Sequence, residues 1–165
     1  MQENQDLHLD ANPTAGQAHI PVSQLKPKLS ENPTYEEIHE FFKCDTFASK
    51  QANCRVVESW VGHGKAEMVI VPEMHFNAEG HVMGGAVFTL ADYAFAAASM
   101  PGSVDAVSLV STIEFMKSTR GSKLIAVCDA DRMGNKVGFY TTDVHDDLGV
   151  HIARVVTTCY KPTTL

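Results

Sequence analysis

The sequence predicts an α+β fold in which one long buried helix is wrapped by a curved antiparallel sheet. The first observation is a run of about four helical turns from Gly84 to Met100 that is apolar on nearly every side. The dipeptide Pro101-Gly102 stops this run. The second observation is that the rest of the chain consists of strand-like segments separated by turns, at 104–116, 123–131, 136–145 and 150–160. Successive hairpins of this kind form an antiparallel meander.

The segments before the long helix predict a short helix and a hairpin. Asn32-Pro33-Thr34, followed by the acidic pair Glu36-Glu37, indicates a helix start, and Ile38, Phe41 and Phe42 provide its apolar face. Residues 56–60 and 66–71 read as two strands joined through Gly62-His63-Gly64, and residues 73–82 read as a loop. In the segment 104–116, apolar and polar residues alternate, which predicts a strand with one buried face: Val107, Leu109, Ile113 and Phe115 against Ser108, Thr112 and Glu114.

Length and composition favour one ordinary globular domain. The 165 residues fit a single domain, because domains are typically about 100–150 residues long. Residues 1–30 contain scattered prolines and no sustained apolar period, so we assign them to a tail or linker and residues 31–165 to the domain. The net charge of −7 argues against a nucleic-acid partner. No segment reaches the roughly 18 uninterrupted apolar residues of a spanning helix, so no membrane partner is expected.

The cysteines and histidines do not follow the pattern of a disulfide framework or a metal site. The four cysteines show no CxxC spacing, and no hydrophobic signal segment precedes them, so we expect reduced, mostly buried thiols and a cytoplasmic protein. The eight histidines lack an HExxH motif or a close pair, and we interpret them as surface residues. No metal and no separate cofactor are predicted. Motifs of serine hydrolases, phosphate loops and dinucleotide enzymes are also absent from the sequence.

Two features of the long helix could carry chemistry. Asp92 is the one formally charged residue between Val82 and Val104, and a carboxylate in such a helix must be hydrogen-bonded, paired or open to a cleft. The alternative is an aspartate that points to solvent or caps another element. Gly84-Gly85 opens the helix, where free N–H groups and the positive end of the helix dipole could polarise a carbonyl oxygen. A tight turn is the simpler reading of this glycine pair.

Residues 77–92 read NAEGHVMGGAVFTLAD, which resembles the signature of hotdog-fold thioesterases of the phenylacetate-degradation (PaaI-like) branch. The family pattern is Asn, then Gly, then His-Gly-Gly, then Leu-Ala-Asp. Seven positions match at the family spacing: Asn77, Gly80, Gly84, Gly85, Leu90, Ala91 and Asp92. The similarity extends over about residues 34–161.

The resemblance implies an acyl-CoA thioesterase that releases a carboxylic acid and free CoA, with CoA present only as part of the substrate. It implies a homodimer or a dimer of dimers, whose subunits pair their sheets side by side around the active site. One subunit would supply Asn77 and the helix-start amides, with Gly85 N–H polarising the thioester carbonyl. The other subunit would supply Asp92, as base or nucleophile, while Ser108 would place the water or the carboxylate.

One position departs from the family pattern. Met83 stands where the family usually has histidine, and a thioether cannot donate the hydrogen bond of an imidazole. His81 could compensate, although a solvent-facing loop residue is the simpler reading. The departure leaves a second hypothesis open, a non-catalytic acyl-CoA-binding hotdog module.

Basic residues near turns are the candidates for binding the CoA nucleotide. By resemblance, Arg132, Asn135 and Lys136 lie in the hairpin that family members use, and Lys117 and Arg120 are further candidates. The alternative is that these charges merely keep the surface hydrated. The residues expected to bind the substrate are therefore Gly84, Met83, His81, Arg132, Asn135 and Lys136.

Overall fold

The computed structural model describes residues 29–102 and 106–161. Almost all of the predicted tail at 1–30 lies outside the described residues, as do residues 103–105 at the start of the predicted strand 104–116. Within the described part, three helices, one π-helical turn and six strands are formed. All four cysteines are free thiols; Cys54, Cys128 and Cys159 are buried and Cys44 is exposed.

The first helix, α1 (Tyr35–Phe42), begins where the sequence predicts. Thr34 is its N-cap, and the Thr34 hydroxyl accepts from the Glu37 amide at 3.3 Å. The Glu37 carboxylate in turn accepts from the Thr34 amide at 2.7 Å, which completes a capping box. A π-helical turn at Phe47–Gln51 follows α1 and was not predicted.

One antiparallel sheet contains all six strands, in the order β1-β2-β4-β5-β6-β3. The strands are β1 (Cys54–Trp60), β2 (His63–Val69), β3 (Val107–Phe115), β4 (Lys123–Met133), β5 (Val137–Asp146) and β6 (His151–Tyr160). The first hairpin turn is tighter than predicted, because Trp60 pairs with His63 and Gly62 takes a positive φ of 82°. His63 and Gly64 therefore belong to β2 instead of to the turn.

The long helix α3 (Gly84–Ser99) lies across the inner face of the sheet, as predicted, and packs mainly on β1, β2 and β4. Its C-terminal half is attached to the first hairpin. The Ser59 hydroxyl donates to the Ala97 carbonyl at 2.7 Å, and the Gly62 amide donates to the Ala98 carbonyl at 2.9 Å. At Gly64 the helix backbone is so close that an added Cβ would lie 2.3 Å from the Ala94 carbonyl oxygen. Small residues on both elements make this contact possible.

The segment predicted as a loop at 73–82 contains a short helix, α2 (Pro72–His75), which Pro72 opens with the φ that a first helical turn requires. His75 is buried, at 2% exposure, so the interpretation of the histidines as surface residues is wrong for this one. Its Nδ1 accepts from the Val71 amide at 2.9 Å. The other ring nitrogen, Nε2, lies 3.1 Å from the Ala52 carbonyl and donates to it. His75 thus connects the end of the π-helical turn, at Ala52, to the segment leading to α3.

Strand β3 corrects the expectation of a strand with one buried face. A bulge between Ser108 and Val110 shifts the register against β6, so Ser108 lies opposite the buried Cys159 and faces the helix side of the sheet. Most of the strand is exposed, including Leu109 and Phe115 at 60% and 57%. The reason is that β3 is an edge strand and extends beyond the area that α3 covers.

Candidate functional site

A cleft of about 500 Å³ opens between the start of α3 and the end of β3. Four of the predicted or additional candidate residues line it: Asn77, His81, Gly84 and Lys117. Phe115 closes one side, since a Cβ added to Gly84 would lie 2.9 Å from the Phe115 ring. Glycine at this position therefore allows the aromatic ring to contact the helix start.

Asn77 organises the loop that leads into α3. Its Oδ1 accepts from the amides of Glu79 and His81, at 3.0 and 3.1 Å. The Asn77 amide donates to the His81 carbonyl at 2.8 Å, and Gly80 takes a positive φ of 76° to close the turn. Because the carboxamide oxygen is used inside the loop, Nδ2 is the end of Asn77 that remains to donate to a ligand in the cleft.

The start of α3 has free backbone donors. The Met83 carbonyl accepts the amides of Ala86 and Val87, at 3.0 and 3.3 Å. Among the described residues, the amides of Gly84 and Gly85 have no acceptor, as is usual in the first turn of a helix. Met83 is 55% exposed, and its methyl group lies 3.1 Å from where a Cβ on Gly85 would be. An apolar group thus lies beside the candidate carbonyl-binding amide.

Asp92 lies on the one face of α3 that the sheet does not cover. The prediction of a helix buried on all sides is correct for most of α3 but wrong for one stripe of the helix. This stripe consists of Gly85, Phe88, Thr89, Asp92 and Ala96, and Gly85 and Asp92 are its exposed members. Asp92 opens into a pocket of about 270 Å³ that also contains Asp45 and Tyr93. Displacement of water by the pocket walls raises the pKa of Asp92, and the negative charge of Asp45 raises this pKa further.

The other predicted site residues lie elsewhere in the chain. Ser108 is at the beginning of β3, at the opposite end from Phe115 and Gly84. The β4–β5 turn carries three exposed candidates, Arg132, Asn135 and Lys136. This turn adjoins the end of β3 where Ser108 lies, because Val137 and Val107 both pair with Tyr160. Within one chain, these four residues are therefore not brought to the cleft that contains Asn77 and Gly84.

A second cleft, of about 520 Å³, continues from the first along the segment after β3. Three basic side chains line it, those of His81, Lys117 and Arg120, together with Asp146. The Asp146 carboxylate is already occupied: it accepts from the Thr119 hydroxyl at 2.8 Å and from the Val150 amide at 2.8 Å. The structure thus places the further basic candidates Lys117 and Arg120, and not the β4–β5 turn, beside the Asn77 loop of the same chain.

Two residues of these pockets were missed by sequence reasoning. Phe115 was assigned to a buried strand face, whereas it lies at the cleft beside Gly84. Asp45 shares a pocket with Asp92, although 47 positions separate the two residues in the sequence. No local motif links them, and only the packing of the segment after α1 against α3 brings them together.

In the part of the chain that the structure describes, no three His, Cys, Asp or Glu side chains converge as a metal ion would require. No helix in residues 29–102 and 106–161 is long and apolar enough to cross a membrane.

Comparison with solved structures supports the fold. The PaaI protein of the Escherichia coli phenylacetic acid degradation operon superposes with a TM-score of 0.71 at 20% identity, over 78% of this chain and 93% of that protein. A hypothetical thioesterase protein from Streptococcus pneumoniae TIGR4, solved with coenzyme A, gives a TM-score of 0.68 at 20% identity, over 76% and 98%. The hotdog fold predicted from the sequence is confirmed.

Sequence comparison supports the family. The family model "Thioesterase superfamily" matches residues 79–153. A protein of Archaeoglobus fulgidus named "Putative esterase" is 36% identical over 110 residues, which cover 66% of this chain and 71% of the relative. Residues 79–153 include the start of α3 and Asp92, and they begin two residues after Asn77. The chain belongs to the thioesterase superfamily and is a thioester hydrolase.

Proposed function

We propose that this thioester hydrolase cleaves acyl-CoA to a carboxylic acid and free CoA, in a site shared by two copies of the chain. One observation carries the proposal: the exposed carboxylate of Asp92 lies on the same face of α3 as the free amide of Gly85. Residues seven apart share a helix face because two turns take about 7.2 residues. At opposite ends of one uncovered stripe, α3 thus offers a base and a carbonyl-polarising donor to a second copy of the chain.

The chemistry follows from these groups. Gly85 N–H and Asn77 Nδ2 would hold the thioester oxygen, on which negative charge develops during attack. Asp92 would take a proton from water as that water adds to the carbonyl carbon, with Ser108 helping to place the water. Collapse of the tetrahedral intermediate then breaks the carbon–sulfur bond, and CoA leaves as a thiolate. No cofactor is needed for any of these steps.

Coenzyme A is proposed as the carrier of the acyl group on two grounds. The Streptococcus pneumoniae relative was solved with coenzyme A. In this chain, whose net charge is −7, the continuous clefts contain His81, Lys117 and Arg120 beside the Asn77 loop. An anionic nucleotide requires such a local basic surface, because the rest of the molecule repels it.

The shared site is inferred from the distance between the two groups and from the open edge of the sheet. Asp92 lies about 12 Å along its own helix from Gly84, at ~1.5 Å per residue, which is too far for both residues to contact one carbonyl. Strand β3 presents an unpaired backbone edge and four exposed apolar residues, Val107, Leu109, Val110 and Phe115. Such an edge favours pairing with another strand, and a second copy offers the same edge.

Antiparallel pairing of two β3 strands would also bring the remaining candidates to the site. It places the Val107 end of one strand beside the Phe115 end of the other. The partner's Ser108 and the partner's β4–β5 turn, with Arg132, Asn135 and Lys136, would then approach the end of the sheet where Asn77 and Gly84 lie. Both pairs of basic residues, Lys117 with Arg120 and Arg132 with Lys136, would then contact one composite site, in a homodimer or a dimer of dimers.

The test is steady-state hydrolysis of short, medium, long and aromatic acyl-CoAs by the purified protein, with release of free thiol as the readout. We expect turnover of at least one class of acyl-CoA. A folded dimer that binds these compounds without turnover would instead support the non-catalytic module.

A cytoplasmic location stays a prediction, motivated by the free cysteines.

Hybrid dimers test the shared site. An Asp92→Ala chain and an Asn77→Asp chain should each be inactive alone. After equal mixing, about half of the dimers are hybrids, and each hybrid has one intact site out of two. The mixture should therefore recover up to about a quarter of the activity of the same amount of wild-type protein. Asn77→Asp keeps the oxygen that accepts the Glu79 and His81 amides, while it removes the Nδ2 donor and adds a negative charge beside the developing oxyanion. Absence of recovery despite verified subunit exchange would contradict the proposal, as would a fully active monomer.

Met83→His distinguishes the enzyme from the binding module. If Gly85 N–H and Asn77 already polarise the carbonyl, restoring the imidazole should change turnover only a few-fold, since preorganised donors can each contribute ~3–4 kcal/mol. If the module has lost its chemistry, Met83→His should raise hydrolysis from background at unchanged acyl-CoA affinity. Met83→Leu is the matched control, because it keeps an apolar side chain over Gly85. Both variants must be folded and dimeric for the comparison.

A further inference from the structure

A second carboxylate shares the pocket of Asp92. Asp45 lies between α1 and the π-helical turn, and it lines the 270 Å³ pocket together with Asp92. The other walls are mostly apolar and consist of Phe47, Ala48, Phe88, Thr89, Tyr93 and Ala96. Among the described residues, neither carboxylate has a cation within ion-pair distance. Two like charges thus face one pocket without neutralisation.

The backbone around Asp45 holds its carboxylate in place. The Asp45 amide donates to the Phe42 carbonyl at 3.1 Å, and the Asp45 carbonyl accepts from Ser49 at 2.9 Å. Its Oδ1 accepts from the Ala48 amide at 3.3 Å. The Tyr93 hydroxyl donates to the Phe42 carbonyl at 2.8 Å and so attaches this segment to α3, next to Asp92. Asp45 is therefore fixed relative to the helix that carries Asp92.

The titratable groups around the pocket do not cancel the charge of Asp45. Tyr93, on α3, has its pKa raised by burial and then by Asp45, so its phenol stays neutral. Cys54, on β1, lies near this cluster, and burial followed by the charge of Asp45 raises its pKa to about 12. Both groups are uncharged over the range in which a carboxyl group titrates. Among the described residues that line the pocket, Asp45 is therefore the one charged neighbour of Asp92.

We infer that Asp45 is a positioning residue whose fixed negative charge makes Asp92 a stronger base toward the attacking water. This inference rests on the proposed role of Asp92 in hydrolysis. A carboxylate beside a like charge holds a proton more tightly, so it accepts the proton of water more readily in the transition state. The same effect restricts activity at acidic pH, because Asp92 must lose its proton before it can act. Both consequences have the same electrostatic cause.

The direct test measures the titration of Asp92 in Asp45→Asn. This substitution removes the charge and keeps an Oδ1 for the Ala48 amide. The pKa of Asp92 is measured in the full-length protein from the carboxyl ¹³C signal of aspartate-labelled protein, assigned by its loss in Asp92→Asn. We expect the pKa of Asp92 to fall. The acid limb of kcat/KM should move to lower pH by the same amount, and turnover on the plateau should fall a few-fold, because the base is weaker.

Two further variants separate the local charge of Asp45 from general effects. Glu36→Gln removes the same charge from an exposed position in the first turn of α1 and should leave the Asp92 titration in place. Asp45→Glu retains the charge and should keep the Asp92 pKa above that in Asp45→Asn. An unchanged pKa in Asp45→Asn, or an equal fall in Glu36→Gln, would overturn the inference.

The NMR measurement also separates this inference from the proposed function. If no acyl-CoA is hydrolysed, the proposed function fails, while the titration still decides whether Asp45 acts on Asp92. If the Asp92 pKa falls but the acid limb of kcat/KM stays in place, Asp92 is not the base, and the part of the inference that concerns the attacking water is overturned.

Discussion

Asp92→Asn is expected to lower turnover of an acyl-CoA substrate by at least ~100-fold, the low end of what a general base contributes. The fold and the proposed dimer should remain intact, because asparagine has the size of aspartate and Asp92 makes no ion pair within the described chain. Stability should not fall at neutral pH. A raised pKa means that the folded chain holds the proton more tightly than the unfolded chain, so the ionised Asp92 destabilises the fold above that pKa.

The control for Asp92→Asn removes the same charge away from the pocket. Asp131→Asn is suitable, because Asp131 is exposed and its carboxylate accepts from the Thr141 hydroxyl at 2.7 Å. This control should keep turnover close to that of the wild type. Turnover and the melting temperature are measured for both variants. Near-normal turnover by a folded Asp92→Asn protein would remove the mechanism proposed for this site.

Gly64→Ala is expected to lower the free energy of unfolding by about 3 kcal/mol, the upper end of the range for overpacked contacts. The added Cβ would lie 2.3 Å from the Ala94 carbonyl oxygen and 2.5 Å from the Ala98 amide nitrogen. Both are backbone atoms, so no side-chain rotation can relieve the overlap, and α3 must move away from β2. Activity should fall as well, because Ala94 lies two residues from Asp92.

Lys65→Ala is the matched control for Gly64→Ala. Its side chain points to the opposite face of β2, and it loses only the 2.8 Å ion pair with Glu58, which is worth about 0–1 kcal/mol at a surface. Urea denaturation measures both variants against the wild type. A Gly64→Ala protein within about 1 kcal/mol of the wild type would show that the helix and the sheet separate more easily than overpacking predicts.

Much of the fold was predictable because its signals are local. The capping pair Thr34 and Glu37 acts over three residues, and the long apolar run ends at Pro101-Gly102 within one or two residues of where α3 ends. The misassigned parts depend on contacts distant in sequence. The bulge in β3 arises from pairing with β6, and His75 is buried because its ring contacts the Ala52 carbonyl, 23 positions away.

The sequence by itself determined the chemical groups of this protein: a lone carboxylate in an apolar helix, a glycine pair at the start of that helix, and the spacing between them. These are properties of neighbouring residues and of helix geometry, so they can be read without a fold. Only the tertiary structure decided which side of α3 stays open, that Asp45 lies beside Asp92, and that Lys117 and Arg120 adjoin the Asn77 loop. Each of these depends on how far the sheet extends around the helix, and that extent is set by strand pairing and packing between segments far apart in the chain.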